Sequence, residues 1–158
     1  MIDTEVRIRA IRCGIGTAPR FEHSRAIQQA VFVEEQGVDP DHVFANERDA
    51  THYVLYALIR ETWTPVACAR VRHLPTRCVK IERVAVLPDE RGKKYARKLL
   101  EEIIDEQGGR YSPEFFYLNS QVGATGLYLN LGFRQVRDVF NEAGIQHIRM
   151  ELAWPRAR

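Results

Sequence analysis

Lys80-Ile81-Glu82-Arg83-Val84-Ala85-Val86 has the outline of a strand, Leu87-Pro88-Asp89-Glu90 takes the chain out of it, and Arg91-Gly92-Lys93-Lys94-Tyr95-Ala96-Arg97 forms a basic turn. A helix follows. Ala96, Leu99, Leu100, Ile103 and Ile104 recur at i, i+3, i+4, i+7 and i+8, while Arg97, Lys98, Glu101, Glu102, Asp105 and Glu106 take the opposite face. Gln107-Gly108-Gly109 is expected to end it. The first N–H groups of a helix lack intrahelical partners and carry the positive end of its dipole, so a basic turn at that point suits an anion, and a pyrophosphate in particular.

Working outward, Val6 to Ile11 alternates apolar residues with Arg7 and Arg9, which predicts a first strand with one wet face. Pro19 opens the way to a helix over Phe21 to Glu35, with Ala26, Ile27, Ala30 and Val31 inward and Gly37 with Pro40 as its stop. A loop then runs to about Asp49. Thr51 to Ile59 and Val66 to Val71 read as a hairpin with Glu61 to Pro65 as its turn, Arg70 and Arg72 marking the exposed end of the return strand. Val79 to Val86 completes a meander. The long helix crosses to a strand over Phe115 to Asn119, Ala124 to Leu131 is a short helix, and Phe133 to Phe140 with His147 to Leu152 are strands joined by Asn141-Glu142-Ala143-Gly144. The order β-α-β-β-β-α-β-α-β-β is that of an α/β (α+β) protein.

The 158 residues suit one domain, and no repeat, linker or low-complexity segment argues for a second. A net charge of +2 gives no general electrostatic case for nucleic acid, and the basic residues from Arg91 to Lys98 form one turn rather than a stripe interleaved with aromatics. Cys13, Cys68 and Cys78 have neither the even count of a disulfide framework nor zinc-ligand spacing, so no metal is expected and a reducing compartment fits. The early acids Asp3 and Glu5, and the lack of any bilayer-length apolar run, predict a soluble cytoplasmic protein with no membrane partner.

The turn is similar to the signature of the GNAT superfamily of acyl-CoA-dependent N-acyltransferases, Gln/Arg-x-x-Gly-x-Gly/Ala after a strand. Arg91, Tyr95 and Ala96 fit the spacing, and Lys94 stands where the first glycine belongs. That glycine lets backbone approach phosphates, so lysine there bears on loop geometry, although its ammonium could add a phosphate contact. Tyr117-Leu118-Asn119-Ser120-Gln121-Val122 and Gly126-Leu127-Tyr128-Leu129-Asn130-Leu131-Gly132-Phe133 resemble the family's next strand and helix. Val31 to Gly37, Asp49-Ala50-Thr51-His52 and Glu142 to Met150 together resemble the ElaA-type branch. The likeness runs from about Phe21 to Leu152, and five motifs in order are more specific than any one.

The resemblance implies a GNAT fold: one mixed, mostly antiparallel, twisted sheet with helices on both faces. It implies acetyl-CoA as donor and a small-molecule or peptide amine as acceptor, in an enzyme that joins both in a ternary complex. Arg91, Gly92, Lys93, Lys94, Tyr95, Ala96 and Arg97 would hold the pyrophosphate, and Val84, Ala85 and Val86 would pair with the pantetheine arm, the Val84 N–H polarising the carbonyl. Glu82, placed beside Val84 and Val86 by a regular pleat, is the first choice of general base, with burial raising its pKa; the alternative is a surface glutamate paired with Arg83 or Lys80. Tyr128 would protonate the departing thiolate, the alternative being a core aromatic. Asn119 would stand where the central strands diverge, holding water or the cofactor's amides, or merely ending a strand.

His147 can titrate near neutrality and is read as an acceptor-facing residue or alternative base, or as the anchor of its loop. His52 carries the same ambiguity. Glu34 and Glu35, with Asp39, Asp41, Glu47 and Asp49, would form an acidic rim for a cationic amine, or simply a solvated loop. Two other readings stand beside the enzyme: a non-catalytic acyl-CoA-binding or sensing module, and an acyltransferase resembling the acyl-homoserine-lactone synthases. A sheet edge could support a homodimer.

Overall fold

The computed structural model describes residues 5–12 and 19–155, without side-chain detail for 10–12. Cys13 lies outside the described residues. Among the described residues eight strands, β1 (Val6–Arg12), β2 (Thr51–Ile59), β3 (Thr62–Leu74), β4 (Cys78–Val86), β5 (Phe115–Gln121), β6 (Arg134–Gln135), β7 (Phe140–Glu142) and β8 (Ile145–Ala153), form one sheet. Its order is β1-β2-β3-β4-β5-β8-β6, with β7 paired to β8. Every pairing is antiparallel except β4 with β5. Helix α3 (Tyr95–Tyr111) makes the crossover between those two, and α4 (Thr125–Asn130) follows β5. Helix α1 (Arg20–Gln28) runs directly into a π-helical stretch, Gln29–Glu35, and α2 (Pro40–Val43) lies in the segment leading to β2.

Two cores back the sheet. The larger collects Leu99, Leu100, Ile103 and Ile104 of α3 with Val79, Ile81, Phe116, Leu118, Ile148, Met150 and Leu152. The smaller, on the other face, sets Ile27 and Val31 against Val54, Cys68 and Ala85. Helix faces at the expected period therefore pack on the two sides of a sheet whose strands alternate between them.

Four local expectations are corrected. Helix α3 does not stop at Gln107-Gly108-Gly109: it continues to Tyr111, closed by Ser112 in the left-handed region (φ 42°) with its N–H on the Gly108 carbonyl. Gly108 is needed for contact rather than termination, because a Cβ there would lie 2.4 Å from the Trp154 ring. The hairpin turn is only Arg60-Glu61, both at positive φ, and Thr62 to Pro65 belongs to β3, Pro65 standing beside a register shift that accommodates its missing N–H. Phe133 to Phe140 is not one strand: exposed Arg137, Asp138 and Val139 separate β6 from β7. In α1, Ala26 is exposed, and the inward face is Ser24, Ile27 and Gln28.

The feature that positions the site is the divergence of β4 from β5. They pair only at Cys78↔Phe115, Val79↔Phe116 and Lys80↔Tyr117, while β5 stays in register with β8 up to Gln121↔His147. From Ile81 onward β4 has no ladder partner on that side, and a cleft opens between the two strands.

Candidate active site

The cleft encloses about 360 Å3 and is walled by Val84, Ala85 and Val86 of β4, Leu118, Asn119 and Ser120 of β5, and Leu127 and Tyr128 of α4. His42, Glu142, Ile145 and His147 line it as well. A second hollow adjoins it at the basic turn, lined by Val86, Arg91, Gly92, Lys94, Tyr95, Ala96 and Arg97. The residues that sequence reasoning assigned to a donor are thus brought to one continuous groove, with the exception of Lys93, whose ammonium lies 2.8 Å from Glu90 instead.

The turn is built from unusual backbone. Gly92 (φ 81°) and Lys94 (φ 64°, ψ 23°) both occupy the left-handed region. Lysine at position 94 therefore keeps the conformation that glycine would adopt freely, at a conformational cost of roughly 1–2 kcal/mol. Lys94 caps α3 through its backbone alone, with no side-chain bond to the first turn, so the opening N–H groups of the helix face the hollow uncapped. Tyr95 is buried in the core.

Beta strand β4 carries an irregularity at Arg83, whose φ is +55°, opposite a register shift between Cys68 and Arg70 of β3. Two residues now answer one, and the alternation changes parity. Val79 and Ile81 face the α3 core before it; Val84 and Val86 face that core after it, and Ala85 faces the other. Glu82 therefore does not share a face with Val84 and Val86, which corrects the regular-pleat expectation. The Arg83 carbonyl accepts a long bond from the Cys68 thiol (3.6 Å), so the Val84 N–H, on the opposite edge of the same planar peptide, turns away from β3.

Glu82 is 8% exposed and surrounded by cations: Arg72 Nε at 2.5 Å, Arg70 Nε at 3.3 Å, Lys80 Nζ at 3.6 Å and Arg83 Nη1 at 3.8 Å. Burial pushes its pKa up, but Arg70, Lys80 and Arg72 together outweigh burial and hold it below the usual carboxylate range. This reverses the expected direction. Arg70 is no exposed strand end either: it is fully buried, with Nη2 donating to the Ala45 carbonyl at 2.7 Å. Its contact with Glu82 is a charge pair rather than an aligned hydrogen bond, since Nε and Nη1 have no hydrogen-bond partner. Arg83 donates to the carbonyls of Val43 and His42 at 2.9 and 2.8 Å. The Glu82 cluster thus fastens the segment around α2 over the sheet.

The acidic rim is largely paired. Glu35 receives two bonds from the Arg91 guanidinium, 2.5 and 2.7 Å, whose Nε also donates to the Val86 carbonyl at 3.1 Å. Glu47 pairs with Arg25, and the Asp39 carboxylate caps α2 through Asp41 N–H. Glu34 is exposed. Next to Glu35, Gln36 exchanges amide hydrogen bonds with Gln121 across the cleft. Neither Gln36 nor Gln121 carries a sequence signal for this pairing, because they are 85 residues apart.

Tyr128 is 6% exposed, stands edge-on to Phe133, and its phenol is pushed well up by burial, so it stays protonated. Asn119 is half-buried on the cleft wall, opposite Arg149 in register. His52 is structural: its Nε2–H donates to the Glu47 carbonyl at 2.7 Å, its Nδ1 meets the Ser24 hydroxyl at 3.2 Å, and burial lowers its pKa. Cys68 is buried and its thiol is pushed up to about 12, which argues against a cysteine nucleophile. Among the described residues no group of acids, histidines and cysteines could hold a metal, and no helix is long and apolar enough to cross a membrane.

A sheet split between its two parallel strands, with a basic turn and helix N-terminus at one end of the split, defines an acyltransferase-type fold. The chain belongs to the GNAT acetyltransferase domain family, whose sequence model matches residues 27–154. A Bacillus subtilis protein named provisionally as an acetyltransferase is 35% identical over 128 residues, 78% of this chain and 83% of that protein. The UPF0039 protein of Schizosaccharomyces pombe is 39% identical over 88 residues; this match spans only 55% of the chain and 59% of that protein. The crystal structure of Escherichia coli ElaA superposes with a TM-score of 0.77 at 23% identity, covering 92% of this chain and 98% of that one, so the fold is shared.

Proposed function

We propose that the protein is an N-acetyltransferase that moves an acetyl group from acetyl-CoA to a primary amine, small-molecule or peptide, within a ternary complex. The observation that carries this reading is the groove itself: an uncapped helix start ringed by Arg91, Lys94 and Arg97 leads without interruption to the unpaired stretch of β4 and then to Tyr128. These residues fit the donor. Cations and free N–H groups suit a diphosphate, an unpaired strand suits an amide-bearing arm, and a buried phenol suits a sulfur that leaves as thiolate.

Acetyl-CoA supplies a thioester whose carbonyl carbon is open to an amine. Within the protein, the turn from Arg91 to Arg97 binds and orients, the Val84 N–H stabilises charge growing on the carbonyl oxygen, and Tyr128 gives its proton to the sulfur. Asn119 lines the wall between donor and acceptor ends and is a positioning residue for either. Glu82, fully charged among four cations, is a poor proton acceptor and serves to hold the α2 segment in place. Unpaired Cys68 and Cys78 fit a reducing, cytoplasmic setting.

The test is thermal unfolding with acetyl-CoA, CoA and a long-chain acyl-CoA, followed by thiol release over a panel of primary amines. A ligand at about 100 times its dissociation constant adds roughly 2.7 kcal/mol, which for a chain this size raises Tm by several degrees. A shift with acetyl-CoA and amine-dependent thiol release is the expected result. A shift without turnover on any amine would favour an acyl-CoA-binding module, and no shift with any CoA ester would overturn the donor site.

A further inference from the structure

The hairpin β7–β8 brings His147 and Glu142 together on the lining of the cleft. His147 is nearly buried. Its Nδ1 lies 2.7 Å from the Ile145 carbonyl oxygen, and a carbonyl only accepts, so Nδ1 carries the hydrogen and the neutral ring keeps its lone pair on Nε2. Phe140, its register partner on β7, stacks on the ring at 6.0 Å and fixes its plane. Nε2 faces Glu142 Oε2 at 3.7 Å, too far for a hydrogen bond and close enough for a carboxylate to stabilise a proton arriving on Nε2. The turn residues Ala143 and Gly144, both at positive φ, and the Gly144 N–H bond to the Asn141 carboxamide hold this geometry.

We infer that His147, assisted by Glu142, is the base that takes the acceptor amine's proton, and that Glu142 selects for acceptors arriving as ammonium ions. The inference rests on the acetyltransferase reading. The acceptor enters as R–NH3+; Nε2 takes one proton, and the freed lone pair forms the N–C bond as the C–S bond breaks. The proton of Tyr128 goes to sulfur, the nitrogen's second proton restores the phenol, and His147 gives its proton to solvent. One proton is released per turnover, and nothing is oxidised or reduced. The ionisable groups that line the cleft with His147 are Glu142, Glu82 and Arg83 of β4, His42, Arg91 and Tyr128; Gln121 and Phe140, the register partners of His147, are uncharged.

The experiment compares the wild type with His147→Asn and Glu142→Gln. An asparagine amide can still donate to the Ile145 carbonyl at the Nδ1 position, so the hairpin is kept and the base is lost. With the best amine of the panel, H147N is expected to lower kcat by about 100-fold or more while acetyl-CoA still raises its Tm as in the wild type. E142Q removes a negative charge that favours the imidazolium, so the acidic limb of kcat/KM moves to lower pH, by roughly half a unit or more even at the dielectric constant of water, which sets the lower bound at this separation. H147N within threefold of wild-type kcat, or an unmoved limb in E142Q, overturns the inference. If the wild type binds acetyl-CoA but turns over no amine, 15N NMR of the imidazole decides instead: an Nε2–H tautomer, or a titration midpoint indifferent to E142Q, overturns it, and the acetyltransferase reading is judged separately by the thermal shift.

Discussion

Replacing Glu82 by glutamine should test whether this residue holds the structure together or handles a proton. The carboxylate lies within 4 Å of four cations, among them the fully buried Arg70, whose Nε and Nη1 have no hydrogen-bond partner to fall back on. Removing one partner of a buried ion pair leaves an uncompensated charge and typically costs about 3–5 kcal/mol. Lys80 and Arg72 keep some access to water, which pulls the value to the lower part of that range. At about 2–4 °C per kcal/mol for this chain length, Tm should fall by roughly 6–12 °C. Urea unfolding at pH 7 measures the loss directly. Because the folded-state pKa of Glu82 is depressed, the stability it supplies is fully present above the unfolded carboxylate pKa and is lost as pH falls through the folded one. Wild-type stability should therefore drop steeply below about pH 4, and E82Q should have a shallower acid dependence. An E82Q protein within 1 kcal/mol of wild type at pH 7, with the same acid dependence, would refute the structural role and return Glu82 to consideration as a base.

Tyr128→Phe should lower kcat by about 100-fold with acetyl-CoA affinity nearly unchanged, read by single-turnover thiol release and calorimetry; equal turnover would remove the phenol from the mechanism. Lys94→Gly should relieve the left-handed strain, leaving stability within about 1 kcal/mol of wild type or above it, while CoA affinity falls several-fold and becomes less salt-sensitive; a large destabilisation in urea would show that Lys94 packs rather than binds. Gly108→Ala should cost about 1–3 kcal/mol because the added methyl meets the Trp154 ring at 2.4 Å, and an unchanged urea midpoint would mean that the ring moves aside freely.

Much of the fold was legible because its signals are local. The apolar period of α3, the turn chemistry from Leu87 to Arg97 and the alternation in β2 and β4 each depend on residues a few positions apart, and all stand in the structure. Arg83 marks where local reading stops. A non-glycine residue at φ +55° leaves no trace in the hydrophobic pattern, yet it reverses the facing of every later residue of β4 and separates Glu82 from Val84. Gly108 shows the same limit from the other side: read as a helix stop, it is a glycine because Trp154, 46 positions away, occupies the space of its Cβ.

What the sequence by itself determined is the order of elements, the basic turn at the start of α3 and the presence of Tyr128 on the short helix after β5, since each follows from neighbours in the chain. Only the tertiary structure decided which charges meet: Glu82 with Arg70 and Arg72, Glu35 with Arg91, and the Nε2 of His147 with Glu142. These contacts depend on strand register, on one bulge and on the divergence of β4 from β5. Those are properties of pairing between distant segments, and a side chain's charge state and role follow from the partners that pairing supplies.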